Sequence, residues 1–186
     1  VGVAQDYTKH AKQLSLEIAK GIGSTRMGAL EVTFRQEAEL DLFSEQCFGP
    51  AFGQILTTAM LLLVEEGYPA PSVLLELYMS GELSYVFQKA AEVGFTGQMG
   101  LHSLTSQYGS LTRALRFTDL VPDVRKKLKE GLEEIRSGTF AKEWMKEQES
   151  GYPTLQEARE FLENNPLRKL EEETLKLLRK GDNTKH

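Results

Sequence analysis

The chain has 186 residues, with 22 Lys+Arg against 27 Asp+Glu, a formal charge of -5, and 40% hydrophobic residues. That length suits one ordinary domain and excludes a large multidomain machine, and the hydrophobic share supports a packed core rather than a disordered tail. The acidic balance, with no basic tract to offset it, excludes a surface built to neutralise nucleic-acid phosphates.

In chain order, Val1–Asp6 is a short stub without the pattern of a secretory signal, and the absence of an initiating Met points to a processed chain or an excised piece. Tyr7 to Lys20 places Ala11, Leu14, Ile18 and Ala19 at helical spacing, and the glycine-rich Gly21 to Gly28 stops that helix. A second helix runs from Phe34 to Cys47. Ala51 to Glu66 follows, apolar on more than one face, as expected for a central or interface helix. Its most apolar run, Ile55 to Val64, falls short of the roughly 20 residues that span a membrane, so no membrane association is expected.

Gly67-Tyr68-Pro69-Ala70-Pro71 is a firm stop. A further apolar helix starts near Ser72, carries Glu76, is interrupted around Ser80-Gly81 and resumes from Glu82 to Val93. Gly94 to Gly100 reads as loop and Leu101 to Gly109 is ambiguous. Pro122 opens a helix to Arg136, closed by Ser137-Gly138. Helices at 140–149, 155–164 and 167–180 complete the set, and residues 181–186 are expected to fray. Only Val1 to Ala4 and Ala29 to Phe34 have β character, so the expected fold is all-α. A single cysteine, Cys47, and no zinc-spaced Cys/His cluster make a reducing, cytoplasmic compartment the expectation.

Few residues promise chemistry. The glycines of 21–28 do not make a dinucleotide fingerprint, because Arg26 stands where glycine is needed and the loop closes a helix instead of opening one. No Ser-His-Asp arrangement emerges around His102 and Ser103. Cys47 reads as a small core residue, and Phe140 with Trp144 as a packing pair. The stronger signal is Asp41 with Glu45, four residues apart, whose carboxylates project from one side of a helix and repel. A solvated acidic face explains that spacing; so does a hard divalent cation between the two oxygens. Glu76 and Glu82, embedded in apolar sequence, read alone as interface residues, and with Asp41 and Glu45 they reach the carboxylate count of a two-metal site.

Lys20-Gly-Ile-Gly-Ser-Thr-Arg-Met-Gly-Ala-Leu-Glu-Val-Thr-Phe34 and Glu37-Ala-Glu-Leu-Asp-Leu-Phe-Ser-Glu-Gln46 resemble the start of the carboxy-terminal domain of ketol-acid reductoisomerase. The similarity continues through Leu63 to Tyr68, Glu76, His102 to Gly109, Ile135 to Trp144 and Asn165-Pro166, in the family's order. The resemblance implies a knotted helical domain over residues 7–180 that intertwines as a homodimer, with residues 1–6 the remnant of a linker from a Rossmann domain. It implies magnesium-dependent alkyl migration of 2-acetolactate-type substrates, then NADPH reduction to 2,3-dihydroxy acids, on the path to branched-chain amino acids. By resemblance Asp41 bridges two magnesium ions, Glu45 completes one, Glu76 and a second glutamate from the partner chain serve the other, and Ser103 holds the substrate carboxylate.

Two departures qualify this. The family's second glutamate pair is four residues apart, whereas here Ser80 stands four after Glu76 and the next glutamate is Glu82. On a regular helix Glu82 would point about 160° away from the fourth position, so only a bulge or break at Gly81 would restore its role. The family's NADPH-binding Rossmann domain is also missing from these residues, so the isolated chain is expected to bind magnesium weakly and to oxidise no NADPH. A non-catalytic paralogue, kept as a helical dimer scaffold or regulator, is the alternative that the Glu76 to Glu82 spacing favours.

Overall fold

A computed structural model describes the backbone of residues 1–182 and the side chains of residues 1–179. Ten α-helices follow one another: α1 (Ala11–Gly21), α2 (Phe34–Phe43), α3 (Gly49–Glu65), α4 (Ala70–Leu74), α5 (Glu82–Val93), α6 (Leu104–Ala114), α7 (Val121–Ser137), α8 (Thr139–Glu149), α9 (Pro153–Glu163) and α10 (Pro166–Asp182). Two π-turns interrupt them, Ser44–Phe48 and Leu75–Met79, and two 3-10 segments lie at Gly97–Leu101 and Leu115–Leu120. No strand occurs among the described residues. The two stretches with β character nevertheless meet: the Val1 amine donates to Leu30 O at 2.6 Å and Val32 N–H to Val1 O at 3.1 Å.

Local chemistry sets the boundaries. Thr33 opens α2 with a capping box, its hydroxyl accepting from Gln36 N–H at 3.1 Å while Gln36 Oε1 accepts from Thr33 N–H at 3.0 Å. Asp6 Oδ1 accepts from Ala11 N–H at 3.0 Å ahead of α1. Pro71 and Pro153 sit in the first turns of α4 and α9, where a missing N–H costs no helical bond. The ambiguous segment after Leu101 is helical, with Ser103 as the N-cap of α6. The last helix extends through Asp182, two residues beyond its expected end, and residues 183–186 of the expected frayed tail lie outside the described residues.

The chain divides into two compact units, Val1–Pro50 with Arg125–Trp144, and Ala51–Val124 with Met145–His186. In the first, Cys47 and Ile135 are the buried apolar residues. The core of the second is Met60, Val73 and Leu74, covered by Leu56, Leu63, Leu77, Tyr78, Leu167 and Leu170, so α10 packs on α4 and the second π-turn. Phe52 and Phe87 add an edge-to-face pair with ring centroids 6.0 Å apart.

The apolar helix is longer than its most apolar run. Carried through the first π-turn, helical structure extends from Phe34 to Glu65, 32 residues with a mean hydropathy of 1.7 in the most apolar part, which by length and composition is enough to cross a membrane. The sequence pattern understated it because Gly49-Pro50 and Gln54 set the apolar run apart from the preceding segment without ending the helix.

Candidate functional site

The first carboxylate pair sits where the backbone changes. Asp41 lies in the last turn of α2 and Glu45 in the π-turn Ser44–Phe48, and both are exposed. The Gly49 N–H reaches back to Ser44 O, an i to i+5 bond, so one extra residue is taken into the turn that carries Glu45. Two contacts with α7 hold this segment. Glu39 accepts from Arg35 Nε at 2.6 Å and from Arg136 Nε at 3.2 Å, and these partners, Arg35 foremost, keep its carboxyl below the usual carboxylate range. Cys47 packs against Gly131, at which an added Cβ would overlap the sulfur. Burial, with a smaller push from the Glu134 charge, raises the Cys47 thiol, which is therefore a packed thiol and not a nucleophile.

No ion pair among the described residues involves Asp41 or Glu45. Among the described residues, no Lys or Arg side chain lies within ion-pair distance of either carboxylate. Within each unit, no group of three or more His, Cys, Asp or Glu is gathered closely enough to hold a metal ion, among the described residues.

Glu76, Glu82 and Ser103 belong to the second unit and are exposed. Glu76 lies in the π-turn Leu75–Met79, where Ser80 N–H donates to Leu75 O at 3.1 Å. Leu74, two residues before Glu76, is fully buried, and Tyr78, two residues after it, donates its hydroxyl to Glu171 Oε1 on α10 at 2.6 Å. Burial foremost, then Glu171, pushes the Tyr78 phenol well above its ordinary range. Gly81 adopts φ 86°, a left-handed conformation that ends this helix before α5 begins at Glu82. The backbone thus leaves regular helix twice between Glu76 and Glu82, and the 160° offset expected of a regular helix does not apply. Glu82 also has a local role, since an acid in the first turn of α5 complements the helix dipole.

Ser103 caps α6, its Oγ accepting from Ser106 N–H at 3.3 Å. Behind it, His102 Nε2 bonds Gln98 Oε1 at 2.9 Å, Gln98 is buried, and Gln107 Nε2 donates to His102 O at 2.8 Å. Gln98, Gln107, Tyr78, Glu171 and Arg136 went unseen in the sequence because their partners are long-range or turn-borne.

A family model described as "Ketol-acid reductoisomerase, C-terminal domain" matches residues 34–180. The chain belongs to the ketol-acid reductoisomerase C-terminal domain family. The match begins at the first residue of α2 and takes in both π-turns and all five candidate residues. The chain is 40% identical over 182 residues to "Putative ketol-acid reductoisomerase 3" of Saccharolobus solfataricus, covering 97% of this chain and 54% of that protein. It is 40% identical over 178 residues to the "Ketol-acid reductoisomerase (NADP(+))" of Methanocaldococcus jannaschii, covering 94% and 49%. A solved structure of an NADH-preferring ketol-acid reductoisomerase from an uncultured archean superposes with a TM-score of 0.80 at 30% identity, covering 95% of this chain and 52% of that one. The chain therefore spans about half the length of these ketol-acid reductoisomerases.

Proposed function

We propose that this chain is the metal-binding half of a ketol-acid reductoisomerase, which isomerises 2-acetolactate-type substrates and reduces them to 2,3-dihydroxy acids in branched-chain amino acid biosynthesis. Its nicotinamide-binding Rossmann partner would lie outside residues 1–186. The observation that carries this is the family match over 34–180, which contains Asp41, Glu45, Glu76, Glu82 and Ser103. The donor set fits the implied two magnesium ions: every candidate ligand is a carboxylate, the chemistry a hard divalent cation prefers, and among the described residues Asp41 and Glu45 have no cationic partner.

When bound, magnesium supplies Lewis acidity for the alkyl migration and NADPH supplies the hydride. The chain's own residues bind and orient. Asp41 and Glu45 present their oxygens from one helical segment, fixed by Arg136 and Gly131 behind it. Glu76 offers another oxygen donor from its braced π-turn, and Glu82 a fourth after the break at Gly81. Ser103 receives the substrate carboxylate, aided by the free N–H groups and positive dipole end of an 11-residue helix.

The proposal includes a cytoplasmic homodimer with intertwined, knotted helices, acting on a small molecule and on neither nucleic acid nor membrane. Uncovered apolar surface supports the dimer. Leu104, Tyr108, Leu111 and Leu115 recur at helical spacing along α6 and into the following 3-10 segment, and each is more than 60% exposed. The apolar helix 34–65, interrupted near its start by Asp41 and Glu45, is on this reading a packing surface for the partner chain.

The test is NADPH consumption with 2-acetolactate and magnesium by the full protein, nicotinamide half included. Asp41→Asn and Glu76→Gln should each lower kcat on the order of a hundredfold or more. Turnover at the wild-type rate in Asp41→Asn would refute the assignment, as would NADPH oxidation by residues 1–186 alone.

A further inference from the structure

Glu76 sits on a π-turn, a rare geometry that competes with ordinary α-helix and persists only where its surroundings hold it. If the extra residue slipped out, the side chains on one side of the turn would rotate by about 100° relative to the other. The turn is pinned at both ends. Leu74 is fully buried in the Met60–Val73–Leu74 core, and Tyr78 donates to Glu171 Oε1 at 2.6 Å across 93 residues of sequence. Only Glu76 between them faces solvent freely.

The anchor on α10 is itself well fixed. Thr174, fully buried, donates its hydroxyl to Leu170 O at 2.8 Å, and Leu167 and Leu170 pack against the same core. A neutral donor on a carboxylate acceptor is a charge-assisted bond, stronger and more directional than a neutral pair. Apolar packing alone would bury Tyr78 equally well, so the bond's particular contribution is to fix the angular position of the turn.

We propose that Glu171 and Tyr78 form a positioning clamp that sets the direction in which Glu76 presents its carboxylate to a divalent cation. This rests on the reading of Glu76 as a metal ligand and adds two residues, one of them on the last helix, to that site. Neither touches the cation; both act through the turn.

The experiment measures Mn2+ affinity by electron paramagnetic resonance in the full protein, for wild type, Glu76→Gln, Tyr78→Phe, Glu171→Gln and the double variant Tyr78→Phe/Glu76→Gln, with melting midpoints recorded alongside. Glu76→Gln should weaken binding, Tyr78→Phe should weaken it by about tenfold, and the double variant should lose no more than Glu76→Gln alone. Glu171→Gln, which keeps an oxygen acceptor, should fall between wild type and Tyr78→Phe, and it carries the comparison if Tyr78→Phe does not fold. A lowered melting midpoint in Tyr78→Phe with wild-type Mn2+ affinity, while Glu76→Gln binds weakly, would overturn the clamp and leave the ligand reading standing. Wild-type affinity in Glu76→Gln would overturn both.

Discussion

Asp41 and Glu45 repel each other, but at an exposed i,i+4 spacing the penalty is only about 0.2–0.5 kcal/mol. The pair therefore persists in the folded chain without a cation, and its cost does not by itself require one. Spacing alone therefore favours a solvated acidic face over a metal site, and the proposal of a metal site rests on the family membership. Tyr78 gives a residue-scale test of the structure. Its phenol is held neutral in the folded chain and ionises at about 10 when unfolded, so the stability it contributes is complete below that pH and is lost as pH rises toward the folded value. Urea unfolding across the alkaline range should show stability falling with pH, with a shallower fall in Tyr78→Phe. An identical slope in the variant would mean that the Tyr78 to Glu171 bond is not formed in solution.

At the scale of elements, most helices were legible because their stops and caps are local: Gly67 to Pro71, Ser137-Gly138 and the prolines act within a few residues. The helix over 104–114 was left ambiguous because Gly109 and the Ser and Thr residues around it read as turn formers and its cap lacks the Glu or Gln of a full capping box. The π-turns were invisible for another reason. One extra residue turns the face that follows by about 100°, but α3 is apolar on more than one face and α4 is five residues long, so neither displays the change of phase in its pattern. The first of them depends on the close approach of Cys47 to Gly131 on α7. Gly131→Ala would gain up to about 1 kcal/mol of helix propensity, whereas overpacking costs about 1–3 kcal/mol, so the steric term should win. A lowered urea midpoint is expected; a raised one would show that α7 does not pack so tightly against this turn.

For the whole molecule, the sequence conveyed the all-α class and the family, and the comparisons bear out both. It conveyed less of the site, because Asp41 and Glu45 lie in one unit and Glu76, Glu82 and Ser103 in the other, and no periodicity reports how distant segments assemble. The uncovered Leu104, Tyr108, Leu111 and Leu115 give the dimer a concrete test. The wild-type chain should sediment as a dimer with a concentration-dependent unfolding midpoint, and Leu111→Asp should shift it toward monomer. A monomer whose midpoint ignores concentration would contradict the dimer.

The central claim is that the carboxylates on the helix from Phe34 to Glu65 hold magnesium. Titration calorimetry of the full protein with magnesium chloride tests it directly, wild type against Asp41→Asn, with folding checked in both. Saturable binding in the wild type that is lost in Asp41→Asn is the predicted result. No specific heat in either protein, or equal binding in both, would contradict it.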